Sequence, residues 1–303
     1  MQPEQHTLIT VVGPTAVGKT ELAIRLAGHF NTEIVSADSR QFYREMEIGT
    51  AKPNDTELSQ ARHHFINSHS IEETVTAGDY ETQALSVIDK IFHQNPLAIL
   101  AGGSGLFINA LLNGIDDLPK VPEDIRQQLN SLHLTEGIEP LQEELRTKDP
   151  DYYRQVDLQN PQRIIRALEV IRATNKPFSS FQSGEKKQRN FITIKVGLNM
   201  PREILYDRIN KRVDLMVQNG LVEEARTLLP YKNHYALQTV GYSELFDYFD
   251  DKITLDKAID QIKQNTRRYA KRQITWFRRD TEIAWFEPGD FEKIISYISG
   301  RLS

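Results

Sequence analysis

Cysteine is absent from the 303-residue sequence. That absence excludes disulfide bonds, thiolate nucleophiles and any zinc site built on cysteine ligands. Long apolar runs are also missing, and no segment approaches the roughly eighteen apolar residues that a membrane span requires. The first residues carry no basic and apolar leader, so the expectation is a cytoplasmic protein with no membrane partner.

An excess of positive charge is lacking too, because the formal net charge is −5. The chain as a whole is therefore not a basic nucleic-acid binder. The charge is uneven, however, since residues 261–279 contain seven basic residues and no acidic one. Such a patch attracts a polyanion even on an acidic protein, because salt confines each charge to roughly 8–10 Å. The alternative is a solvated basic helix face.

What the sequence does contain is a complete phosphate-binding loop. The pattern G-x-x-x-x-G-K-[ST] is matched at every fixed position by Gly13, Pro14, Thr15, Ala16, Val17, Gly18, Lys19 and Thr20. Apolar residues before the loop predict a strand, and the spacing after it predicts a helix. Backbone N–H groups in this context surround a di- or triphosphate. Lys19 adds positive charge, and the Thr20 hydroxyl suits Mg²⁺.

Strands alternating with helices predict an α/β fold with a parallel sheet. Short apolar or β-branched runs predict strands at 7–12, 33–37, 97–101, 191–198 and 282–286.

About ninety residues separate the third of these strands from the fourth, which is far more than a crossover needs. The intervening sequence is polar with helical spacing, and Asn160 followed by Pro161 starts one of its helices. We therefore predict a P-loop core at 1–118 and 190–303, with a small all-helical domain inserted at 119–189. Helices are expected at 255–277 and 291–302 as well.

Two further loops follow predicted strands on the edge that carries the phosphate loop. Asp38 is either a general base or magnesium ligand, or a residue that caps a turn. The turn around Ser104 either contacts phosphate or simply connects a strand to a helix. The histidines His63, His64 and His69 match no metal-ligand spacing, so a structural role is expected.

Six blocks of sequence occur in the order and spacing of one family. They are residues 13–20, 38–39, 48–53, 102–107, 161–170 and 271–278. With these blocks the chain resembles the bacterial tRNA dimethylallyltransferase family from end to end. The resemblance implies transfer of a dimethylallyl group from dimethylallyl diphosphate to the exocyclic N6 amine of the adenosine 3′ of the anticodon, with release of diphosphate.

The resemblance also implies roles for individual residues. Asp38 matches the general base, Ser104 replaces a threonine near the reacting amine, and Arg212 matches an arginine that closes over the diphosphate. Mg²⁺ is the implied cofactor, with Thr20 as its ligand. The implied tRNA contacts are Asp38, Ser39, Arg40, Gln41, Ser104, Arg126, Gln162, Arg163, Ile164, Ile165, Arg166, Gln238, Thr239, Val240, Gly241, Tyr242, Ser243, Lys271, Arg272, Gln273, Ile274, Thr275, Trp276, Phe277 and Arg278.

The chain departs from the family pattern in places. Phe107 replaces a common tyrosine, and Gln238 stands where a basic residue is common. The zinc-finger extension of eukaryotic relatives is missing, as the lack of cysteine requires. The implied partners are the anticodon stem-loop of tRNA and dimethylallyl diphosphate. The insertion and the basic helix are expected to hold the tRNA, with the protein acting as a monomer.

Three alternatives remain open from the residues alone. A small-molecule kinase would use the phosphate loop for ATP and Asp38 as the base for an alcohol. An ATP-gated RNA-binding protein would bind without transfer chemistry. A prenyltransferase acting on free adenine nucleotides would share the core but would need no tRNA-binding helices.

Overall fold

The structure is a computed structural model, and it describes residues 5–184 and 186–302. The chain forms two compact units, of which the first combines Met1–Gly114 with Gln188–Ser303 and the second is Ile115–Lys187. The second unit starts ahead of the predicted residue 119, because Asp116 near its start is hydrogen-bonded to Ser183 near its end. The Asp116 carboxylate accepts hydrogen bonds from the Ser183 N–H at 3.0 Å and from the Ser183 hydroxyl at 2.7 Å.

The first unit is built on a parallel sheet, which confirms the predicted fold class. Its strands in chain order are β1 (Thr7–Val12), β2 (Ile34–Ser36), β3 (His63–His64), β4 (Leu97–Gly102), β5 (Ile192–Leu198) and β6 (Ala284–Phe286).

Across the sheet the order is β3-β2-β4-β1-β5-β6. Strand β1 pairs with both β4 and β5, and every one of its residues is buried, which explains its run of apolar and β-branched residues. Strand β3 was not predicted, because a two-residue strand of half-buried histidines carries no apolar pattern. Strand β6 starts two residues later than predicted, since the Glu282 N–H is held in a turn by the Asp280 carboxylate.

Helices cover both faces of the sheet. In the first unit they are α1 (Lys19–Phe30), α2 (Asp55–Gln60), α3 (Ala77–Phe92), α4 (Gly105–Asn113), α9 (Arg202–Gln218), α10 (Leu221–Thr227), α11 (Ser243–Phe249), α12 (Leu255–Phe277) and α13 (Phe291–Leu302).

Successive side chains of each strand point to opposite faces of the sheet, so the core is divided between these two faces. Leu8 and Leu100 pack with Tyr80 and Ile88 of α3, whereas Ile9 packs against α1 and α9 on the opposite face. Each fully buried aliphatic side chain of this kind stabilises the fold by about 1.5–3 kcal/mol. The bounds predicted for α12 and α13 are confirmed.

The second unit is helical, with α5 (Glu123–Glu136), α6 (Glu139–Lys148), α7 (Pro150–Tyr153) and α8 (Pro161–Thr174). Helix α8 begins as predicted, because the Asn160 side chain caps it by accepting the Arg163 N–H at 3.3 Å. Leu129, Leu141 and Leu168 are fully buried in its core. In either described range, no helix combines the length and apolar character that crossing a bilayer demands.

Candidate active site

The phosphate loop lies between β1 and α1, in the context that its pattern requires. Gly13 has a φ of +148°, and a Cβ there would lie 2.6 Å from the Leu198 carbonyl oxygen, so only glycine fits. The Lys19 ammonium folds back over the loop and donates to the Pro14 carbonyl at 2.7 Å. Burial lowers the pKa of Lys19 to about 8, with Asp38 raising it and Arg212 lowering it in turn.

Asp38 follows β2 on the carboxyl edge of the sheet, where the sequence placed it. Its Oδ1 accepts the Arg40 N–H at 3.2 Å, which closes a short turn. The turn and the catalytic interpretations are therefore compatible. One carboxylate oxygen caps the turn, and the side chain still lines the cavities described below.

Ser104 connects the ends of β2 and β4. Its N–H donates to the Ala37 carbonyl at 3.1 Å, and its hydroxyl oxygen accepts the Ser39 N–H at 3.0 Å. The hydroxyl groups of Ser39 and Ser104 also lie 3.2 Å apart. These bonds fix the residue beside Asp38 against the turn that follows β4. Nearby, burial and, to a smaller extent, the negative charge of Asp38 raise the pKa of Tyr269 to about 12.

Arg212 reaches the phosphate loop from α9. Its Nη1 donates to Thr15 Oγ1 at 3.5 Å and its Nη2 to the Ala51 carbonyl at 3.4 Å, and both bonds are long. Burial lowers the pKa of Arg212, and the carboxylates of Asp38 and Glu57 oppose that shift. A guanidinium keeps its charge at neutral pH even so. Arg212 is therefore a loosely held cation beside the loop.

Two cavities meet at these residues. The phosphate cavity, of about 610 Å³, is lined by Lys19, Thr20 and Arg212 among others. The second cavity, of about 690 Å³, extends past Ser104 to Trp276 and is more apolar. Thr15, Asp38, Thr50, Ala51 and Arg212 line both cavities. Asp38 and Arg212 thus lie where the cavity at the phosphate loop adjoins the more apolar second cavity.

Helix α12 divides the predicted tRNA-contacting residues 271–278 among different surroundings. Arg272 and Trp276 line the second cavity, and Lys271 and Arg278 line a separate cavity of about 700 Å³ at the ends of β5 and β6. Thr275 also lines that separate cavity. A helix turns successive side chains to different sides, so this segment lines two separate cavities, and its contact with tRNA stays a prediction.

Several residues of the predicted tRNA-contacting segments are buried, and the contact of these segments with tRNA stays a prediction. Within the first unit Gln273 and Phe277 point into the protein, and Tyr242 is fully buried. Gln41 is buried too, and its amide donates to the Thr50 and Ala51 carbonyls at 3.3 and 3.2 Å. The apolar and aromatic members pack in the core, because burying their surface is favourable.

Other residues of these segments stay accessible. In the first unit Gln238 and Ser243 are exposed, and Thr239 and Val240 line the second cavity together with Gly241.

In the second unit the predicted contacts also separate into two groups. Ile164 and Ile165 are buried in the helical core. Gln162 and Arg163 are exposed.

Arg126 and Arg166, by contrast, converge on one buried carboxylate. Arg126 Nε lies 3.2 Å from Glu169 Oε1, and Arg166 Nη1 lies 3.0 Å from Glu169 Oε2. Glu169 itself is almost completely buried. Glu169 was not predicted from the sequence as a functional residue.

Glu224 is another residue that the sequence analysis missed. Its carboxylate accepts the backbone N–H groups of Glu47, Ile48 and Gly49 at 3.0, 2.7 and 2.9 Å. This contact fixes the segment that supplies Thr50 and Ala51 to both cavities. No local signal could have found it, because the partners lie more than 170 residues apart in sequence.

The parallel sheet and the glycine loop at its carboxyl edge define a P-loop α/β protein. The IPP transferase family model matches residues 41–280. The chain is 54% identical to the tRNA dimethylallyltransferase of Christiangramia forsetii over 298 residues, which cover 98% of each chain. It is 52% identical to that of Flavobacterium johnsoniae, covering 97% of this chain and 98% of the relative. The chain belongs to the IPP transferase family.

Solved structures agree with this assignment. The full-length tRNA isopentenylpyrophosphate transferase of Bacillus halodurans superposes with a TM-score of 0.73 at 37% identity, covering 98% of this chain and 97% of that one. A eukaryotic dimethylallyltransferase acting on tRNA superposes with a TM-score of 0.80 at 26% identity, covering 98% of this chain and 77% of that one. The alternative activities that the residues left open are not favoured by these relationships.

Proposed function

We propose that this protein transfers the dimethylallyl group of dimethylallyl diphosphate to the N6 amine of the adenosine 3′ of the anticodon in tRNA, releasing diphosphate. The family carries tRNA dimethylallyltransferase activity. The observation that carries the proposal within the site is the position of Asp38, at the junction between the phosphate cavity and the more apolar second cavity.

The phosphate loop is proposed to bind the leaving group. Backbone N–H groups of residues 16–20, which include the start of α1, favour an anion, and Lys19 and Arg212 add two positive charges. Neutralising the diphosphate lowers the barrier to breaking its bond to carbon. The second cavity has the apolar lining that suits a five-carbon prenyl group, with Phe107 and Leu106 on its wall.

The residues present also fit a magnesium ion. The Thr20 hydroxyl makes no hydrogen bond to any other residue in the described ranges, and it lines the phosphate cavity together with the Asp38 carboxylate. Hydroxyl and carboxylate oxygens, with phosphate and water, are the ligands that Mg²⁺ prefers. We assign Thr20 as its protein ligand, and the ion would neutralise charge on the diphosphate.

Asp38 is proposed to accept the proton of the attacking amine. The exocyclic nitrogen bonds to the carbon that carried the diphosphate, the carbon–oxygen bond breaks, and its electron pair leaves with the diphosphate. The amine proton passes to Asp38. Ser104, held beside Ser39 by the bonds described above, would position the amine.

The tRNA is proposed to contact both units. The target adenine has to leave its stack to reach Asp38, so the anticodon loop must be held while the base is extruded. Arg40, Arg272 and Trp276 line the second cavity, and Arg163 and Arg166 are candidates on the helical unit. We propose that the protein acts as a monomer in the cytoplasm, a location that suits a member of a tRNA-modifying family.

One assay tests the proposal. The protein is incubated with labelled dimethylallyl diphosphate or labelled ATP, with unmodified tRNA, AMP or no acceptor, and with or without Mg²⁺. We expect label to enter tRNA only from the prenyl donor and only when Mg²⁺ is present. Label in AMP would indicate a nucleotide prenyltransferase. Phosphate transfer from ATP with no prenylated RNA would indicate a kinase, and either result would overturn the proposal.

A further inference from the structure

Gln273 is a polar side chain on the buried face of α12. Only 5% of its surface is exposed, and it lies between the buried residues Ala270 and Phe277 along the helix. Burying an amide is unfavourable unless its donor and acceptor are both satisfied. Both are satisfied here, and the partners belong to two different loops.

The two partners of Gln273 are the two loops that carry the proposed chemistry. Its Oε1 accepts the Thr15 N–H of the phosphate loop at 2.8 Å. Its Nε2 donates to the Gly103 carbonyl at 2.9 Å, in the turn that carries Ser104. A Cβ at Gly103 would lie 2.3 Å from that Nε2, so the turn approaches as closely as it does because residue 103 is glycine.

Each partner is in turn connected to a proposed catalytic group. The Thr15 hydroxyl oxygen accepts a hydrogen bond from the Arg212 guanidinium, so Thr15 lies on the side of the proposed leaving group. Ser104, next to Gly103, binds Ser39 beside Asp38, so it lies on the side of the attacking amine. The Gln273 amide therefore connects the loop proposed to bind the leaving group directly with the turn that carries Ser104, on the side of the attacking amine.

We infer that Gln273 is a positioning residue for prenyl transfer, which sets the separation between the diphosphate loop and the turn that carries Ser104. The inference rests on the proposed function and assigns this residue a role other than tRNA contact. An apolar side chain of similar length would fill the space but would leave the Thr15 N–H and the Gly103 carbonyl unpaired. The two loops could then shift independently, and a displacement of about 1 Å costs roughly 100-fold in rate.

The first test replaces the amide by an apolar chain of similar length. For Gln273→Met we expect kcat to fall by roughly 30- to 100-fold, while the Kd for tRNA changes by less than about twofold and the unfolding midpoint stays close to that of wild type. Gln264→Met, at an exposed position on the same helix, is the matched control and should leave all three unchanged. A wild-type kcat in Gln273→Met would overturn the inference. Weakened tRNA binding with an unchanged saturating kcat would instead identify a tRNA contact.

The second test uses Gln273→Glu and does not depend on how well the methionine variant folds. A protonated carboxyl group has one donor and one acceptor and can replace both amide bonds, whereas a carboxylate only accepts. Burial favours the neutral form. We therefore expect the ratio of variant to wild-type kcat to rise about tenfold or more as the pH falls from 8.5 to 6. Groups common to both proteins affect both values of kcat, so the ratio isolates the effect of the new carboxyl group.

A ratio that stays flat over this range would contradict the inference. Wild-type turnover in the same assay tests the proposed function separately. An inactive wild type would overturn prenyl transfer itself, whereas an active wild type with unaffected Gln273 variants would overturn only the positioning role.

Discussion

The Tyr242 hydroxyl donates a hydrogen bond to Glu224 Oε1 at 2.7 Å. The same carboxylate accepts the backbone N–H groups of residues 47–49. A Cβ on Gly49 would lie 2.5 Å from the Tyr242 ring, so the ring and the turn are in direct contact. Four donors on one carboxylate keep Thr50 and Ala51 at the junction of the two cavities. The resemblance placed Tyr242 among the tRNA contacts, and its position indicates a supporting role for the site wall.

Tyr242→Phe should therefore lower stability. Removing a hydrogen bond to a charged, partly buried acceptor costs about 1.5–3 kcal/mol, and we expect that loss in the free energy of unfolding measured with urea. Tyr231→Phe, at an exposed tyrosine, is the control and should change it by less than about 0.5 kcal/mol. Equal stability of the two variants would refute a supporting role for the Tyr242 hydroxyl.

Lys19 predicts a pH dependence for donor binding. Burial lowers its pKa to about 8, so the charge present at pH 7 is lost as the pH rises through 8. A bound diphosphate favours the charged form, so binding above pH 8 has to take up a proton. We expect the Kd for dimethylallyl diphosphate to rise about tenfold between pH 7 and pH 9, measured by calorimetry with Mg²⁺. Lys19→Met should bind more weakly, with a Kd that is flat over this range. A parallel rise in both proteins would assign the effect to another group.

The catalytic activity should depend on the hydroxyl group of residue 104 and should tolerate an added methyl group there. Ser104→Ala leaves the Ser39 N–H without its acceptor, and we expect kcat to fall by about tenfold, which corresponds to about 1.4 kcal/mol. Ser104→Thr keeps the acceptor and should remain within about threefold of wild type. The measurement is the steady-state transfer of labelled prenyl groups to tRNA. An alanine variant as active as the threonine variant would exclude a role for the hydroxyl.

Replacing Glu169 should weaken tRNA binding without changing the rate of prenyl transfer. The side chains of Arg126 and Arg166 are 53% and 40% exposed, yet both contact this buried carboxylate. Neutralising it in Glu169→Gln leaves two like charges unconstrained, and we expect the Kd for tRNA to rise about three- to tenfold, or up to about 1.4 kcal/mol. The kcat at saturating tRNA should not change.

Glu143→Gln provides the matched control for this measurement. Glu143 pairs with Arg146 on the exposed surface of the same unit, at 2.6 Å. Its replacement should leave tRNA affinity within about twofold of wild type, since exposed pairs contribute little. If both variants weaken binding equally, the effect is one of net charge and not of the paired arginines.

The sequence predicts those parts of the site that depend on local pattern and on strand edges. The loop Gly13–Thr20 is set by consecutive residues, and Asp38 and Ser104 meet because the carboxyl ends of parallel strands share one edge. The strand β3 escaped prediction because its two histidines lack an apolar pattern.

Long-range contacts and buried polar groups account for the rest. Glu224 meets the turn at 47–49 across a long separation in the chain, which no periodicity reveals. Gln273 was predicted as a tRNA contact because the resemblance assigned the whole segment 271–278 to tRNA. Its burial depends on hydrogen-bond partners that lie on distant loops. Ile164 and Ile165 belong to a segment that was predicted to contact tRNA. Their side chains are buried in the helical core and anchor that segment.

The measurement that tests the account most directly is single-turnover prenyl transfer by Asp38→Asn. The amide keeps an acceptor for the Arg40 N–H, so the turn is preserved, but it cannot take the amine proton. With saturating tRNA and dimethylallyl diphosphate we expect the transfer rate to fall by about 10²–10⁴-fold, while the Kd for tRNA stays within about threefold of wild type. A near-wild-type transfer rate, or a loss explained entirely by weaker tRNA binding, would contradict the assignment of Asp38 as the base.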